Sequence, residues 1–129
     1  MAQHISAFAL VVPDYDSAIA FYVGTLGFDL IEDTQQSETK RWVLVAPKGA
    51  QTRILLAKAN GSKQQEAVGN QTGGRVGFFL HTDDFEADYQ RLSKAGVLFE
   101  EEPRHEPYGS VAVFQDPFGN RWDLLQLSS

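Results

Sequence analysis

The stretch Phe8-Ala9-Leu10-Val11-Val12-Pro13-Asp14 comes back seventy residues later as Phe78-Phe79-Leu80-His81-Thr82-Asp83-Asp84. Setting Asp14 against Asp84 matches Phe8-Ala9-Leu10 with Phe78-Phe79-Leu80 and Tyr15 with Phe85, and one gap brings Gly27 onto Gly96. Element order and turn residues recur more clearly than residue identity, which is the trace a diverged duplication leaves. A chain built this way is confined to folds that use one small unit twice. With 129 residues and 43% hydrophobic content it can bury one compact domain, or two small modules sharing a core.

Each copy reads as a strand, a helix and three further strands. Phe8 to Val12 is a short apolar run ended by Pro13-Asp14, the pattern of a buried strand. Asp14 or Asp16 caps the helix that follows, with Ala18, Phe21, Tyr22 and Leu26 at helical spacing until Gly27 stops it. Phe28 to Ile31 resumes as a strand, the polar stretch Asp33 to Lys40 reads as a hairpin connection, and Arg41 to Ala46 and Arg53 to Ala57 supply two more strands. Lys58 to Gly74 is polar and rich in Gly, Gln and Asn; it reads as a linker, with Ser62 to Val68 as a possible short helix. The expected division is therefore 1–57, a linker over 58–74, and 75–129. In the second copy Val76 to Thr82 is a strand, Asp84 caps a helix carrying Phe85, Tyr89 and Leu92, and Gly96 ends it. Val97 to Glu100, Ser110 to Gln115 and Trp122 to Gln126 complete the set, the last following a hairpin turn, Asp116-Pro117-Phe118-Gly119-Asn120.

Composition narrows the function classes. Seventeen acids against eleven Lys plus Arg give a net charge of −6, and no basic run tracks a phosphate backbone, so nucleic acid is not an expected partner. No stretch approaches the ~20 apolar residues of a membrane span. With no cysteine there are no disulfides or thiolate ligands, which suits a reducing compartment; a soluble cytoplasmic protein is expected.

Leu10-Val11-Val12-Pro13-Asp14, then Ala18-x-x-Phe21-Tyr22-x-x-x-Leu26-Gly27-Phe28, and Asp116-Pro117-x-Gly119-Asn120 with an acid three residues beyond, together resemble the vicinal oxygen chelate superfamily. This is the group of glyoxalase I, bleomycin-resistance proteins and extradiol dioxygenases. The resemblance implies an α+β fold of two βαβββ modules that form a curled mixed sheet around an open cleft, and a homodimer. It also implies a place for a divalent metal, held by His or Glu on the first and last strand of each module. Seven residues before Asp14 and Asp84 stand Ala7 and Gly77, the first module's last strand offers Leu55, and only Asp123 keeps an oxygen donor. One carboxylate is a poor metal site, since zinc takes three or four protein ligands. The expectation is no metal cofactor. Strand parity turns His4 away from the side of Ala7 and puts His81 on the side of Gly77, and His105 falls in the loop Pro103 to Gly109. A displaced site from His81, His105, Glu106 and Asp123 ranks low.

Small residues where ligands would stand leave volume for a small organic molecule. Phe79, Leu55 and Trp42 are the expected walls of a mainly apolar cleft, Tyr108 a residue able to close over it, and Asp123, His81 and Arg53 the polar groups that orient a ligand. Asp123 is also the one candidate acid or base, unless Arg41, Arg53 or Arg75 pairs with it. Trp122, on the opposite face from Asp123, is expected in the core. The alternatives are a metal-dependent lyase, isomerase or dioxygenase, and a dimerising module with no ligand.

Overall fold

The computed structural model describes residues 1–128. The chain divides into two compact units, Met1–Val68 and Gly69 onward. In the first, β1 (Ala7–Val12) leads into α1 (Tyr15–Ile19), then β2 (Asp29–Gln35), β3 (Arg41–Ala46) and β4 (Arg53–Lys58), with α2 (Ser62–Ala67) after them. The sheet order is β1-β4-β3-β2, with β1 parallel to β4 and the other pairs antiparallel. In the second unit β5 (Phe78–His81) precedes α3 (Phe85–Lys94), β6 (Leu98–Phe99), β7 (Arg104–Glu106), β8 (Gly109–Gln115) and β9 (Arg121–Leu127). Its order, β5-β9-β8-β6 with β7 added on β8, again makes the first and last strands parallel neighbours. The repeat in the sequence is thus a repeat of topology: a βαβββ unit with a mixed sheet of four strands, and a second unit of the same plan in which β7 adds an edge strand to make five, neither sheet closed into a barrel. No helix among the described residues is long and apolar enough to cross a membrane.

Period-2 alternation sets what each sheet buries. In the first unit Leu10, Val12, Val43, Val45 and Leu56 share one face and are fully buried, and α1 contacts β4 on this sheet. The Asp14 carboxylate caps α1 by accepting from the Ser17 backbone N–H at 2.7 Å, as expected for an N-terminal Asp. The helical stripe does not continue as an ordinary α-helix. Ala20–Thr25 is a wide π-type turn, and the Leu26 N–H donates to the Phe21 carbonyl, five residues back. Fully buried Tyr22 sits there edge-on to Phe21 with ring centroids 5.0 Å apart.

The second unit is held by an aromatic chain. Phe85 stacks on Tyr89 of the same helix, Tyr89 meets Phe99 at 4.6 Å, Phe99 meets Phe114 at 5.8 Å, and Phe114 stacks on Trp122, which stacks on Phe78 at 4.8 Å. Trp122 is therefore a core residue, as its parity predicts. The turn before it is more than a reversal. Both Asp116 and Asn120 are buried; Asp116 Oδ1 accepts from the backbone N–H of Phe118 and of Asn120, and Oδ2 accepts from Asn120 Nδ2 at 2.7 Å. Only Gly119, at φ 106, takes the left-handed conformation there. A Cβ on Gly69, itself at φ 73, would overlap the Phe118 carbonyl, so the turn is packed directly on that glycine.

Two expectations are corrected. The polar stretch read as a connection from Asp33 belongs to β2 as far as Gln35, and the chain passes through a bulge at Leu30 to Glu32. The residues Arg104–Glu106, read as loop, form β7 by pairing with β8, His105 opposite Ser110. Both are edge strands, where charged side chains are tolerated because one side meets water.

Candidate functional site

In the first unit the two middle strands part company. Although β3 starts at Arg41 and β4 runs to Lys58, their ladder covers only Val43↔Leu56 to Val45↔Ile54. Beyond it β4 stays with β1 through Val12↔Lys58, and β3 stays with β2 through Thr34↔Trp42 and Gln35↔Arg41. Between the diverging ends lies a recess of about 640 Å³, within the size range of small-molecule sites. Tyr15, Trp42, Leu55, Leu56 and Ala57 supply its apolar and aromatic lining; Ser37, Thr39, Lys40, Arg41, Lys58, Asn60 and Gln64 its polar one.

Arg41 braces one wall. Its Nε and Nη2 donate to the two oxygens of Asp33 at 3.1 and 2.7 Å, and Nη1 donates to Asp16 at 2.8 Å. The guanidinium lies 5.2 Å above the Tyr15 ring, whose hydroxyl accepts from the Arg41 backbone N–H. The Arg41 hydrogen bonds hold the Asp33 carboxyl below the usual carboxylate range. Arg41 is thereby engaged and pre-set, and it ties the start of α1 to the hairpin of β2 and β3.

Of the residues expected to bind a ligand, Trp42 and Leu55 line this recess. Arg53 shares the face of β4 with Leu55, and its Nε is buried with no hydrogen-bond partner among the described residues. Tyr15, Lys40, Arg41 and Lys58 were not singled out as recess residues; no local pattern marks the point where two strands separate.

In the second unit Asp123 pairs across the sheet with Phe79 on one side and Val113 on the other. Phe79 and His81 lie on the Asp123 face and are exposed, Phe79 by 60%. Tyr108, also exposed, sits in the tight turn between β7 and β8. Arg104 pairs with Val111, which puts it on the Asp123 face and turns His105 to the other, where its Nδ1 lies 2.9 Å from Ser110 Oγ. Neither Arg41 nor Arg75 serves Asp123: the first is held by Asp16 and Asp33, and Arg75 Nε donates to the Val76 carbonyl. Arg121 is bound through two nitrogens to Glu100, at 2.8 and 2.7 Å. Asp123 Oδ1 is left buried without a partner among the described residues.

Burial raises the Asp123 carboxyl above the usual carboxylate range; Glu101 adds to this, while Arg104 and Arg121 oppose it. The folded chain then holds this proton more tightly than the unfolded one, so the contribution of Asp123 to stability falls as pH rises through the interval between the two pKa values. Asp123→Asn removes that penalty. Its melting temperature should match the parent near pH ~2, well below the ordinary Asp range, where the acid is protonated in both states, and exceed it increasingly as pH rises. A parent that instead gains on the variant as pH rises would show that Asp123 is held by a charge partner, and a difference independent of pH would show that its pKa is the same in the folded and unfolded chain.

The metal donor set implied by the resemblance does not fit these residues. Ala7, Leu55 and Gly77 offer no side-chain donor, and a Cβ on Gly77 would run into the Thr72 side chain. No three His, Asp or Glu side chains come together to hold an ion among the described residues.

Comparison with known proteins agrees with this architecture. An uncharacterized protein of Shewanella frigidimarina (strain NCIMB 400) is 55% identical over 130 aligned residues, covering 99% of this chain and 96% of its own. The crystal structure of TnmS3, an antibiotic binding protein from Streptomyces sp. CB03234, superposes with a TM-score of 0.79 at 38% identity and covers 98% of each chain. A superfamily member from Sphaerobacter thermophilus DSM 20745 gives a TM-score of 0.81 at 32% identity, over 97% of this chain and 98% of that one. The model of the glyoxalase/bleomycin resistance protein/dioxygenase superfamily matches residues 4–124, and the chain belongs to that superfamily.

Proposed function

We propose that this protein binds a small organic molecule, without a divalent metal, and holds it rather than transforming it. The observation that carries the reading is the recess of the first unit, lined by Tyr15, Trp42, Leu55, Leu56 and Ala57 together with several polar groups. Aromatic walls with a few placed polar groups are how small-ligand sites are commonly built. Similarity to an antibiotic binding protein supports the same reading. The lining is more polar than the mainly apolar cleft expected from sequence, because the hairpin of β2 and β3 brings its polar end to the recess. The reading includes a homodimer, supported by Phe79, Leu98 and Leu127, large apolar side chains that are each more than half exposed. It also includes a cytoplasmic setting, which rests on the cysteine-free composition.

The test is thermal unfolding of metal-free protein against a panel of aromatic and glycopeptide compounds. A ligand that binds only the folded state at a hundred-fold excess over its Kd should raise the melting temperature by about 10 °C. Trp42→Ala should abolish the rise while leaving the fold intact. No rise with any compound, or a stoichiometric divalent metal that is lost on Asp123→Asn, would overturn the reading.

A further inference from the structure

The chain carries seventeen acids and eleven Lys plus Arg, yet the charged side chains lining the recess, Lys40, Arg41 and Lys58, are all cationic. Their partners differ. Arg41 is already matched by Asp16 and Asp33. Lys40 and Lys58 make no ion pair or side-chain hydrogen bond among the described residues. The acid whose field reaches Lys58 is Asp14, and its two oxygens are taken by the Ser17 backbone N–H and hydroxyl at 2.7 Å each. Two ammonium groups at the rim of an aromatic recess therefore keep their donors for a ligand.

We infer that the molecule held in this recess is an organic anion, an apolar body within the recess whose carboxylate, sulfonate or phosphate group meets the ammonium groups of Lys40 and Lys58 at the rim. This rests on the ligand-binding reading above and narrows it to a chemical class. Charge-assisted hydrogen bonds from ammonium to an anionic oxygen are the stronger kind, and the partly enclosed recess screens them less than open water does. At long range the net charge of −6 repels an anion, so the preference has to come from the two lysines at short range.

A matched pair of fluorescent probes tests this. 8-Anilinonaphthalene-1-sulfonate carries the anion; N-phenyl-1-naphthylamine has the same ring skeleton without it and is the more apolar of the two. A recess that selected only for apolar surface would favour the neutral probe. The expected result is the reverse, with the sulfonate bound about ten-fold more tightly. Binding should quench Trp42 and should be weakened by salt. The exposed-site double variant Lys40→Gln/Lys58→Gln should erase the preference and leave the neutral probe's affinity unchanged. Lys94→Gln, in the last turn of α3, should behave as the parent. Equal binding of both probes, or a preference that survives the double variant, overturns the anion assignment and leaves the recess as a binding site. Failure of both probes to bind, or binding indifferent to Trp42→Ala, overturns the recess itself.

Discussion

Phe114→Ala is expected to lower the unfolding free energy by about 4 kcal/mol, the cost of emptying a large, fully enclosed aromatic site. Phe114 is completely buried on the helix-facing side of β8, with Phe99 at 5.8 Å on one flank and Trp122 stacked at 5.9 Å on the other. Removing it breaks the aromatic chain at its middle, so the pair Tyr89–Phe99 that joins α3 to β6 loses its contact with Trp122 on β9 through Phe114. Phe114→Leu keeps most of the volume and should cost only about 1 kcal/mol. Urea unfolding with an unchanged slope measures both values. The near-ultraviolet signal of Trp122 should weaken in the alanine variant. Equal effects of Leu and Ala would show that ring stacking, rather than filled volume, is what the site requires.

Asp116→Ala is the second large effect, expected at about 3 kcal/mol, because it strands donors that are held away from water. Its carboxylate accepts from two backbone N–H groups and from the Asn120 amide, and both Asp116 and Asn120 are buried. Asp116→Asn retains an acceptor for the backbone N–H groups, and Asn120 can turn its amide oxygen toward the new side chain. That variant should lose about 1 kcal/mol. Since Gly69 packs on the carbonyl of Phe118, a loosened turn should also raise amide exchange in the segment around Gly69. Thermal unfolding and hydrogen exchange check the two parts separately, and a loss confined to the turn amides would leave the packing on Gly69 without a role.

These sites differ in how far they could be read beforehand. Trp122 and Asp123 were placed on opposite faces by alternation alone, and the pairings of Trp122 with Phe114 and of Asp123 with Val113 follow that parity. The sequence leaves the N-cap between Asp14 and Asp16, and the Ser17 N–H bound to the Asp14 carboxylate decides it for Asp14. Asp116 was read as a turn former, and its burial was not foreseen. Turn chemistry is local, but burial depends on what packs over the turn from far away in sequence, as Gly69 does on Phe118. Arg104–Glu106 looked like a loop because its residues have little strand preference; the free edge of β8 supplies the pairing that their own side chains do not. Arg41, a candidate partner for Asp123 on charge alone, is claimed by Asp33 on β2 and Asp16 on α1.

The amino-acid sequence by itself determined two βαβββ units, the identity of the residues on each strand face, and the absence of side-chain donors at Ala7, Leu55 and Gly77. Those properties are carried by alternation, caps and residue chemistry, each complete within a few positions of the chain. Only the tertiary structure decided that β3 would follow β2 while β4 followed β1, opening the recess lined by Lys40, Trp42 and Lys58. It also decided that Asp123 would keep a buried oxygen without a partner among the described residues. The physical reason is that a strand's own residues set which way its side chains point, but where it parts from a neighbour depends on the competing hydrogen bonds and packing of strands far away in sequence.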